Sequence, residues 1–297
     1  MNYLMIATMI VAGSLVGIVS SFFGVGACFI MVPVMMYCFE TFMNVSPSLS
    51  ALLAFGTNMA IVVPTALSGA LRHRKELKKK NLRFPAKHYL TFAIPVGLGS
   101  LTGSIFAFIF FESFRAQAGI VLKTIFGVFC LIGAYRFMRA KPLPVNELPR
   151  LSIPKFAGTG YFSGLLAHFI GIGGGIVYMP MLNTLLRIPV HIAVSVSLAT
   201  MVIGSSVGAL SFMILGHIDQ LQHPLEYPEL SFGWFNLIAF LSIGVASIIF
   251  AQLGPKLAHK TSPSKFKILL ALVYIYIGVR LVVNGTLQLR GMAPLIP

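Results

Sequence analysis

The feature that most constrains this chain is a series of long segments without a charged side chain. Five stretches contain no Asp, Glu, Lys or Arg: residues 1–39, 41–71, 89–111, 156–186 and 230–255. About 20 apolar residues are enough to cross a bilayer. Only 10% of all residues are charged, whereas a soluble domain has about 25%. The chain is therefore expected to be an all-α polytopic membrane protein that has the lipid bilayer as its solvent.

The remaining composition excludes several other classes of protein. The net charge of +15 is explained by basic cytoplasmic loops, so nucleic-acid binding is not expected. Cys28, Cys38 and Cys130 lack the spacing of metal ligands and are expected to be free, with no metal and no cofactor. No basic region precedes the first apolar run, so a cleaved signal peptide is not expected. No catalytic group set is recognisable, and the chain is predicted not to be an enzyme.

Two halves of the chain match each other. The stretch 139–155 contains four prolines and is predicted to be a cytoplasmic linker between residues 1–138 and 156–297. FFGVGACFIMVP at 22–33 aligns with FIGIGGGIVYMP at 169–180, an offset of 147 residues. AFGTNM at 54–59 aligns with AVSVSL at 193–198, an offset of 139. Two matching blocks in the same order indicate an internal duplication.

Each half contains four apolar segments. They are predicted at 3–39, 46–71, 89–111 and 116–137 in the first half, and at 156–186, 188–215, 231–255 and 266–286 in the second. If all eight crossed the membrane, the acidic loop 216–230 would share a side with the basic loop 72–87. That arrangement contradicts the excess of Lys and Arg normally found in cytoplasmic loops.

The conflict disappears if the first segment of each half does not cross. A straight helix over 3–39 would be about 55 Å long, against a hydrocarbon core of about 30 Å. We therefore predict that 3–39 and 156–186 are re-entrant helix pairs that break at their glycines and return. The two halves are then inverted four-segment repeats. Loops 72–87, 136–155 and 256–267 become cytoplasmic, and both termini become extracytoplasmic.

Glycine breaks at membrane depth are expected to line a buried or wet cavity. Each new half-helix that follows a break presents free N–H groups and a partial positive charge, which favours an anion. The predicted substrate site combines the two breaks with polar positions of the second matching block: Gly24, Gly26, Ala27, Cys28, Thr57, Asn58, His168, Gly171, Gly173, Gly174, Gly175, Ser195 and Ser197. Because Ala27 and Cys28 replace two glycines, the second break is predicted to supply more N–H contacts.

The sequence resembles the TauE/SafE family of sulfite-exporter-like permeases. The resemblance rests on GIGGG at 171–175 with Pro180, on GVG at 24–26 with Pro33, and on AFGTNMA at 54–60 and SGALRH at 68–73. It covers nearly the whole length and both halves. It implies transport of a small sulfur-containing oxyanion, such as sulfite or an organosulfonate, across the cell membrane.

The sequence thus predicts a secondary transporter that works by alternating access. An anion channel of the same architecture and a permease for a different small organic anion remain open, as does an integral membrane enzyme or chaperone-like subunit. The coupling ion (a proton or sodium), the direction of transport and a homo-oligomeric state are also left open. Packing is the favoured role for His168, and snorkelling to the interface is favoured for Lys123 and Arg280.

Overall fold

The computed structural model describes residues 3–26, 28–139 and 148–292, and these are largely helical. A hairpin of two-residue strands, β1 (Ser231–Phe232) and β2 (Phe235–Asn236), precedes one of the helices. The helices are α1 (Tyr3–Phe23), α2 (Cys28–Met43), α3 (Pro47–Lys79), α4 (Ala86–Arg139), α5 (Ile153–Phe169), α6 (Gly175–Pro180), α7 (Val190–Gln222), α8 (Leu237–Phe250), α9 (Leu253–Lys260) and α10 (Pro263–Leu289). A π-helical turn, Met181–Leu185, extends α6.

Among the described residues, six helical stretches are long and apolar enough to cross a membrane. They are Tyr3–Phe23, Leu49–Lys79, Ala86–Phe111, Val190–Gln222, Leu237–Lys260 and Pro263–Leu289. Large apolar side chains point outward from these helices: Leu98, Ile214 and Ile249 are each more than 60% exposed. A bilayer accommodates such a surface, whereas water does not. The expectation of an all-α polytopic membrane protein is confirmed.

Helices α1, α3 and α8 run in the same direction. Gly13 and Gly17 of α1 lie against Ile243 and Ser247 of α8, in the same order along both helices. Along α3, the hydroxyl of Thr65 lies 2.6 Å from that of Ser247, and Ser68 bonds the Ile248 carbonyl. Because α1 and α3 are parallel, the chain between them must reverse, and α2 is the returning element.

A second set of parallel helices consists of the start of α4, α5 and α7. Gly160 and Gly164 of α5 lie against Phe92 and Val96 of α4. The Tyr89 hydroxyl of α4 bonds the Ala199 carbonyl of α7 at 3.4 Å, and Gly204 of α7 lies against Val96. The start of α4 therefore runs parallel to both α5 and α7. The segment 170–189, which contains α6, must reverse between α5 and α7.

The two sets of parallel helices oppose each other. Gly69 of α3 lies against Leu198 of α7, and Met59 lies against Gly208, so the order is reversed between the two helices. The set α1, α3 and α8 is thus antiparallel to the set formed by the start of α4, α5 and α7.

Glycines let the first helix of each half pack against the backbone of the other half. A Cβ atom on Gly13 or Gly17 would collide with a carbonyl oxygen of α8, and one on Gly160 or Gly164 would collide with a carbonyl oxygen of α4. Small residues that permit such close approach are the usual basis of helix packing in membranes. These four positions fix which helices of the two halves are in contact.

Helix α4 differs from the predicted pair of segments at 89–111 and 116–137. The structure has one helix of 54 residues. Phe92 lies beside Tyr178, whereas Gly133 lies beside Tyr274, whose hydroxyl bonds the Ile176 carbonyl. A straight helix would separate residues 92 and 133 by about 60 Å. Since both are close to 176–178, α4 changes direction, between Phe110 on α5 and Gly127 on α10.

Several other boundaries also differ from the predicted ones. Helices α3 and α7 continue beyond 71 and 215, because polar residues extend them past the apolar part. The segment predicted at 231–255 begins as the β-hairpin, and α8 starts only at Leu237, where the Asn236 side chain caps the helix by accepting from the N–H of Ala239 at 3.0 Å. Within the predicted linker 139–155, residues 140–147 lie outside the described residues, and α5 begins at Ile153.

Candidate functional site

The two glycine breaks have matching backbone conformations. Gly24 and Gly26 have φ values of 70° and 78°, and Gly171 and Gly173 have values of 80° and 69°. These pairs correspond at the offset of 147 residues. Left-handed conformations of this kind cost an L-residue about 1–2 kcal/mol and cost glycine almost nothing. The sequence can therefore form the same loop twice, once in each half.

The second break contains one more left-handed glycine. Gly174 has a φ of 93°, and a Cβ atom there would collide with the ring of Tyr178. The Tyr178 ring thus folds back over the break. Ala27, which corresponds to Gly174 in the first half, lies outside the described residues.

The two breaks touch each other between α3 and α7. A Cβ atom on Gly175 would lie 2.5 Å from the carbonyl carbon of Val25, so glycine is required there by close approach of the other break. Met201 of α7 lies against both Gly175 and Gly26, with its sulfur 2.6 and 3.3 Å from their Cβ positions. Val62 of α3, which corresponds to Met201 at the offset of 139, lies 3.9 Å from the Cβ position of Gly26.

Each break is held by a side chain of the opposite half. The Ser197 hydroxyl on α7 donates to the Gly24 carbonyl at 2.7 Å. The Asn58 amide on α3 donates to the Gly171 carbonyl at 3.5 Å. Ser197 and Asn58 correspond at the offset of 139, and Gly24 and Gly171 correspond at the offset of 147. The two hydrogen bonds are therefore reciprocal, which is the arrangement expected of two related halves.

Several buried polar atoms on the helices that flank the breaks have no hydrogen-bond partner among the described residues. Such an atom costs about 1–3 kcal/mol in desolvation unless something bonds it. Four of them lie on α3, α6 and α7, namely Asn58 Oδ1, Tyr178 OH, Ser195 Oγ and Thr200 Oγ1. A bound polar ligand or ordered water would offset this cost for the atoms that it reaches.

The second break also leaves backbone N–H groups free. The N–H groups of residues 173–176 have no backbone acceptor within the described part of the chain. The Ser205 hydroxyl donates to the Gly173 carbonyl at 3.0 Å, so this carbonyl oxygen already has a hydrogen-bond partner. None of the described side chains that contact the breaks is acidic. The junction therefore suits an anion better than a cation.

Comparison of the sequence with models of protein families identifies a known group. The model of the sulfite exporter TauE/SafE family covers residues 9–281, which include both breaks and all the helices that form their junction. The chain belongs to the TauE/SafE family. The resemblance inferred from the glycine motifs is thus confirmed.

Curated proteins similar to this TauE/SafE chain are named as probable membrane transporter proteins. The one from Methanocaldococcus jannaschii is 26% identical over 93% of this chain and 95% of its own length. The one from Bacillus subtilis is 26% identical over 93% and 97%, and that from Haemophilus influenzae is 25% identical over 92% and 96%. No solved structure shows a significant match. Relatives and family together indicate an integral membrane protein of a transporter family.

Three predicted site residues of this TauE/SafE protein are Thr57, His168 and Cys28, and the first two bond groups outside the breaks. The Thr57 hydroxyl accepts from the N–H of Asn236 at 2.9 Å and so anchors the start of α8. His168 donates from Nδ1 to the Gly164 carbonyl of its own helix at 3.0 Å, and its Nε2 is buried without a partner. Cys28 is buried at the first turn of α2. The structure does not bring the Thr57 hydroxyl to the break.

Tyr178, Met201 and Ser205 lie at the junction, and the sequence analysis missed them. Tyr178 lies within the glycine motif itself, yet nothing in the sequence indicates that its ring folds back. Met201 lies beyond the matched block, and extending that alignment by three residues would have paired it with Val62. The first half gives no indication of Ser205, because Ala66 occupies the corresponding position.

The junction is closed to solvent in this TauE/SafE structure. The described glycines of both breaks are buried, as are Asn58, Ser195 and Ser197. A ligand can reach the free N–H groups only if the helices around them separate. Of the two remaining charged candidates, Arg280 is partly exposed on α10, and the side chain of Lys123 lies outside what the structure describes.

Proposed function

We propose that this protein is a secondary transporter that carries a small sulfur-containing oxyanion, such as sulfite or an organosulfonate, across the cell membrane by alternating access. The anion is held where the two glycine breaks meet. The backbone N–H groups of residues 173–176 and the Asn58 amide are its donors, and no cofactor takes part.

The observation that carries the proposal is the contact between the two breaks. Val25 lies against Gly175, and the breaks exchange reciprocal hydrogen bonds with Ser197 and Asn58. A sulfur oxyanion has several acceptor oxygens, and it matches a closed junction that is rich in donors and in which the described hydroxyls of Tyr178, Ser195 and Thr200 are without partners. Family membership adds independent support for transport.

The opposed directions of the two helix sets support an inverted repeat. In such transporters the substrate lies between the repeats, and alternating access arises when one repeat rocks against the other. Here the Gly24–Ser197 and Gly171–Asn58 bonds join opposite halves, so movement of one half relative to the other alters both. The closed junction favours a carrier over an open channel.

The same directions support the predicted orientation. Helices α1, α3 and α8 all begin on the side of the acidic loop 216–230 and end near the basic loops 72–87 and 256–267. Phe22, at the end of α1, stacks on Phe266, near the start of α10. With the basic loops cytoplasmic, both termini are extracytoplasmic and α1–α2 returns to the side from which it entered.

Counterflow in liposomes tests this function. Purified protein is reconstituted with unlabelled sulfite inside, and uptake of labelled sulfite is followed. The variant Asn58→Asp keeps the shape of the side chain but replaces the donor amide with a carboxylate. Like-charge placement costs several kcal/mol, so we expect uptake to fall by at least about tenfold. Ser206→Ala is the matched control, because the Ser206 hydroxyl bonds the Val202 carbonyl of its own helix.

The outcomes separate the alternatives. If neither sulfite nor any sulfonate exchanges while a carboxylate does, the substrate class is wrong and the protein is a permease for another organic anion. Unitary currents without trans-stimulation would identify a channel. Equal uptake by Asn58→Asp and Ser206→Ala would remove the junction as the anion site.

A further inference from the structure

A polar cavity lies at the basic end of the molecule, away from the glycine breaks. It has a volume of about 410 Å³ and lies where α3, α7, α9 and α10 meet. None of its lining residues belongs to the breaks. Its polar lining residues are Lys80, His191, His259, Lys260, Thr261 and Ser262.

The lining of this cavity suits an anion. Lys80 and Lys260 supply positive charge, and Thr261 and Ser262 supply hydroxyls. Ser262 also caps α10, a helix of 27 residues whose positive end therefore faces the cavity. The nearby carboxylate of Glu76 is paired with Arg72 at 2.7 Å and is not among the described residues that line the cavity.

Three histidines extend from the cavity toward the first glycine break. His259 Nε2 lies 3.0 Å from His73 Nδ1, and His73 Nε2 lies 2.8 Å from the Ser21 carbonyl. The rings of His191 and His259 are stacked with centroids 5.3 Å apart. His191 and His259 are more than nine-tenths buried, and the Nδ1 atom of each has no hydrogen-bond partner in the described part of the chain.

The hydrogen-bond chain fixes the tautomers. A carbonyl oxygen only accepts, so His73 carries its proton on Nε2 and donates to Ser21. Neutral His73 therefore accepts at Nδ1, and His259 donates to it from Nε2. The Nδ1 of a neutral His259 is left as a lone pair without a partner. An anion cannot bond to this atom unless a proton accompanies it.

We propose that the cavity is an oxyanion-binding site that takes up a proton together with its ligand. The ligand is a small tetrahedral oxyanion of the sulfate, sulfonate or phosphate type. The proton occupies His259 Nδ1, which then donates to the anion, while Lys80 and Lys260 balance the remaining charge. This site is separate from the proposed junction site and does not depend on transport.

Each helix near His259 places polar, charged or aromatic groups around it or around the histidines beside it. Helix α3 contributes His73, Glu76 and Lys80, and α7 contributes His191. Lys260 follows His259 on α9. The Ser21 carbonyl of α1 ends the histidine chain, and Phe266 of α10 packs on His191. The bound anion is the only negative charge that this arrangement, built from the described residues, places beside a protonated His259, apart from the paired Glu76.

Inorganic sulfate is the probe, because it remains a dianion between about pH 8 and about pH 5.5, where His titrates. Any pH dependence of its binding then comes from the protein. Binding of labelled sulfate to the purified full chain should strengthen by up to about tenfold for each pH unit lowered. His259→Gln should weaken binding and remove the pH dependence.

Two exposed lysines provide a variant that is expected to fold normally. Lys260→Gln should weaken sulfate binding about 5- to 10-fold, the loss of one favourable charge contact. Lys256→Gln, on the same helix but not lining the cavity, should not. Sulfate binding without pH dependence in the unaltered protein, or equal binding by these two variants, would overturn the proposal. So would binding that Asn58→Ala removes and Lys260→Gln leaves intact.

The source of the oxyanion is decided in nanodiscs. In phosphatidylcholine alone, the cavity should bind sulfate as it does in detergent. If phosphatidylglycerol then displaces sulfate from the unaltered protein, the natural ligand is a lipid headgroup. If it does not, the ligand is a free anion.

Discussion

The contact between the two glycine breaks predicts that a single methyl group at Gly175 is destabilising. Gly175 is the first residue of α6 and has no left-handed conformation that requires glycine. Its Cβ position is 2.5 and 2.7 Å from backbone atoms of Val25, which cannot move without shifting the first break. Gly158→Ala is the control, because Gly158 is also helical and nothing lies within 4 Å of its Cβ position.

The magnitude follows from the difference between these two variants. Gly158→Ala, inside α5, gains about 1 kcal/mol of helix propensity, and Gly175→Ala, at the first residue of α6, gains no more than this. Only Gly175→Ala adds overpacking, which costs typically about 1–3 kcal/mol. At roughly 2 °C per kcal/mol for a chain of this size, Gly175→Ala should melt about 2–6 °C below Gly158→Ala.

A thiol-reactive dye measures this directly, because the thiols of Cys28, Cys38 and Cys130 are buried and become reactive only on unfolding. Counterflow is measured on the same preparations, and Gly175→Ala should transport more slowly than the control. If the two variants melt and transport alike, the breaks do not touch and the reasoning fails.

Three further predictions follow from the same geometry. Gly174→Leu should reduce transport more than Ala27→Leu, because the Gly174 side chain would collide with Tyr178; equal losses in a counterflow assay would contradict this. Ser197→Ala should lower the free energy of unfolding by about 1 kcal/mol, since the buried Gly24 carbonyl loses its donor, and an unchanged melting temperature would argue against that bond. Membrane-impermeant thiol reagents should label Gln222→Cys from outside and Ser262→Cys only from the cytoplasm, and the opposite pattern would exclude the inverted repeat.

The sequence alone was sufficient for the class of protein and for the position of the breaks. Charge-free runs report on the bilayer directly, and glycines with prolines beyond them mark where helices end. The pairing of Asn58 and Ser197 was also accessible, because both lie in the block that repeats at an offset of 139 residues.

Other features depend on contacts between residues that are far apart in the chain. His73 contacts His259, which is 186 residues away in the chain, and no local sequence pattern predicts such a pair. The ring of Tyr178 could have pointed away from Gly174 with the same sequence. The single helix α4 arises because the interval around Glu112 and Arg115 contains no proline or glycine to end it, although the helix changes direction there.

The reciprocal glycine packing has a consequence for how the chain is made. Helix α1 is synthesised before the other described helices, yet the surface that receives Gly13 and Gly17 is on α8, more than 200 residues later. Helix α1 therefore lacks its final neighbour until the residues between α1 and α8 have been translated. Neither half can reach its finished packing alone, because the contact of α1 with α8 can form only after α8 has been made.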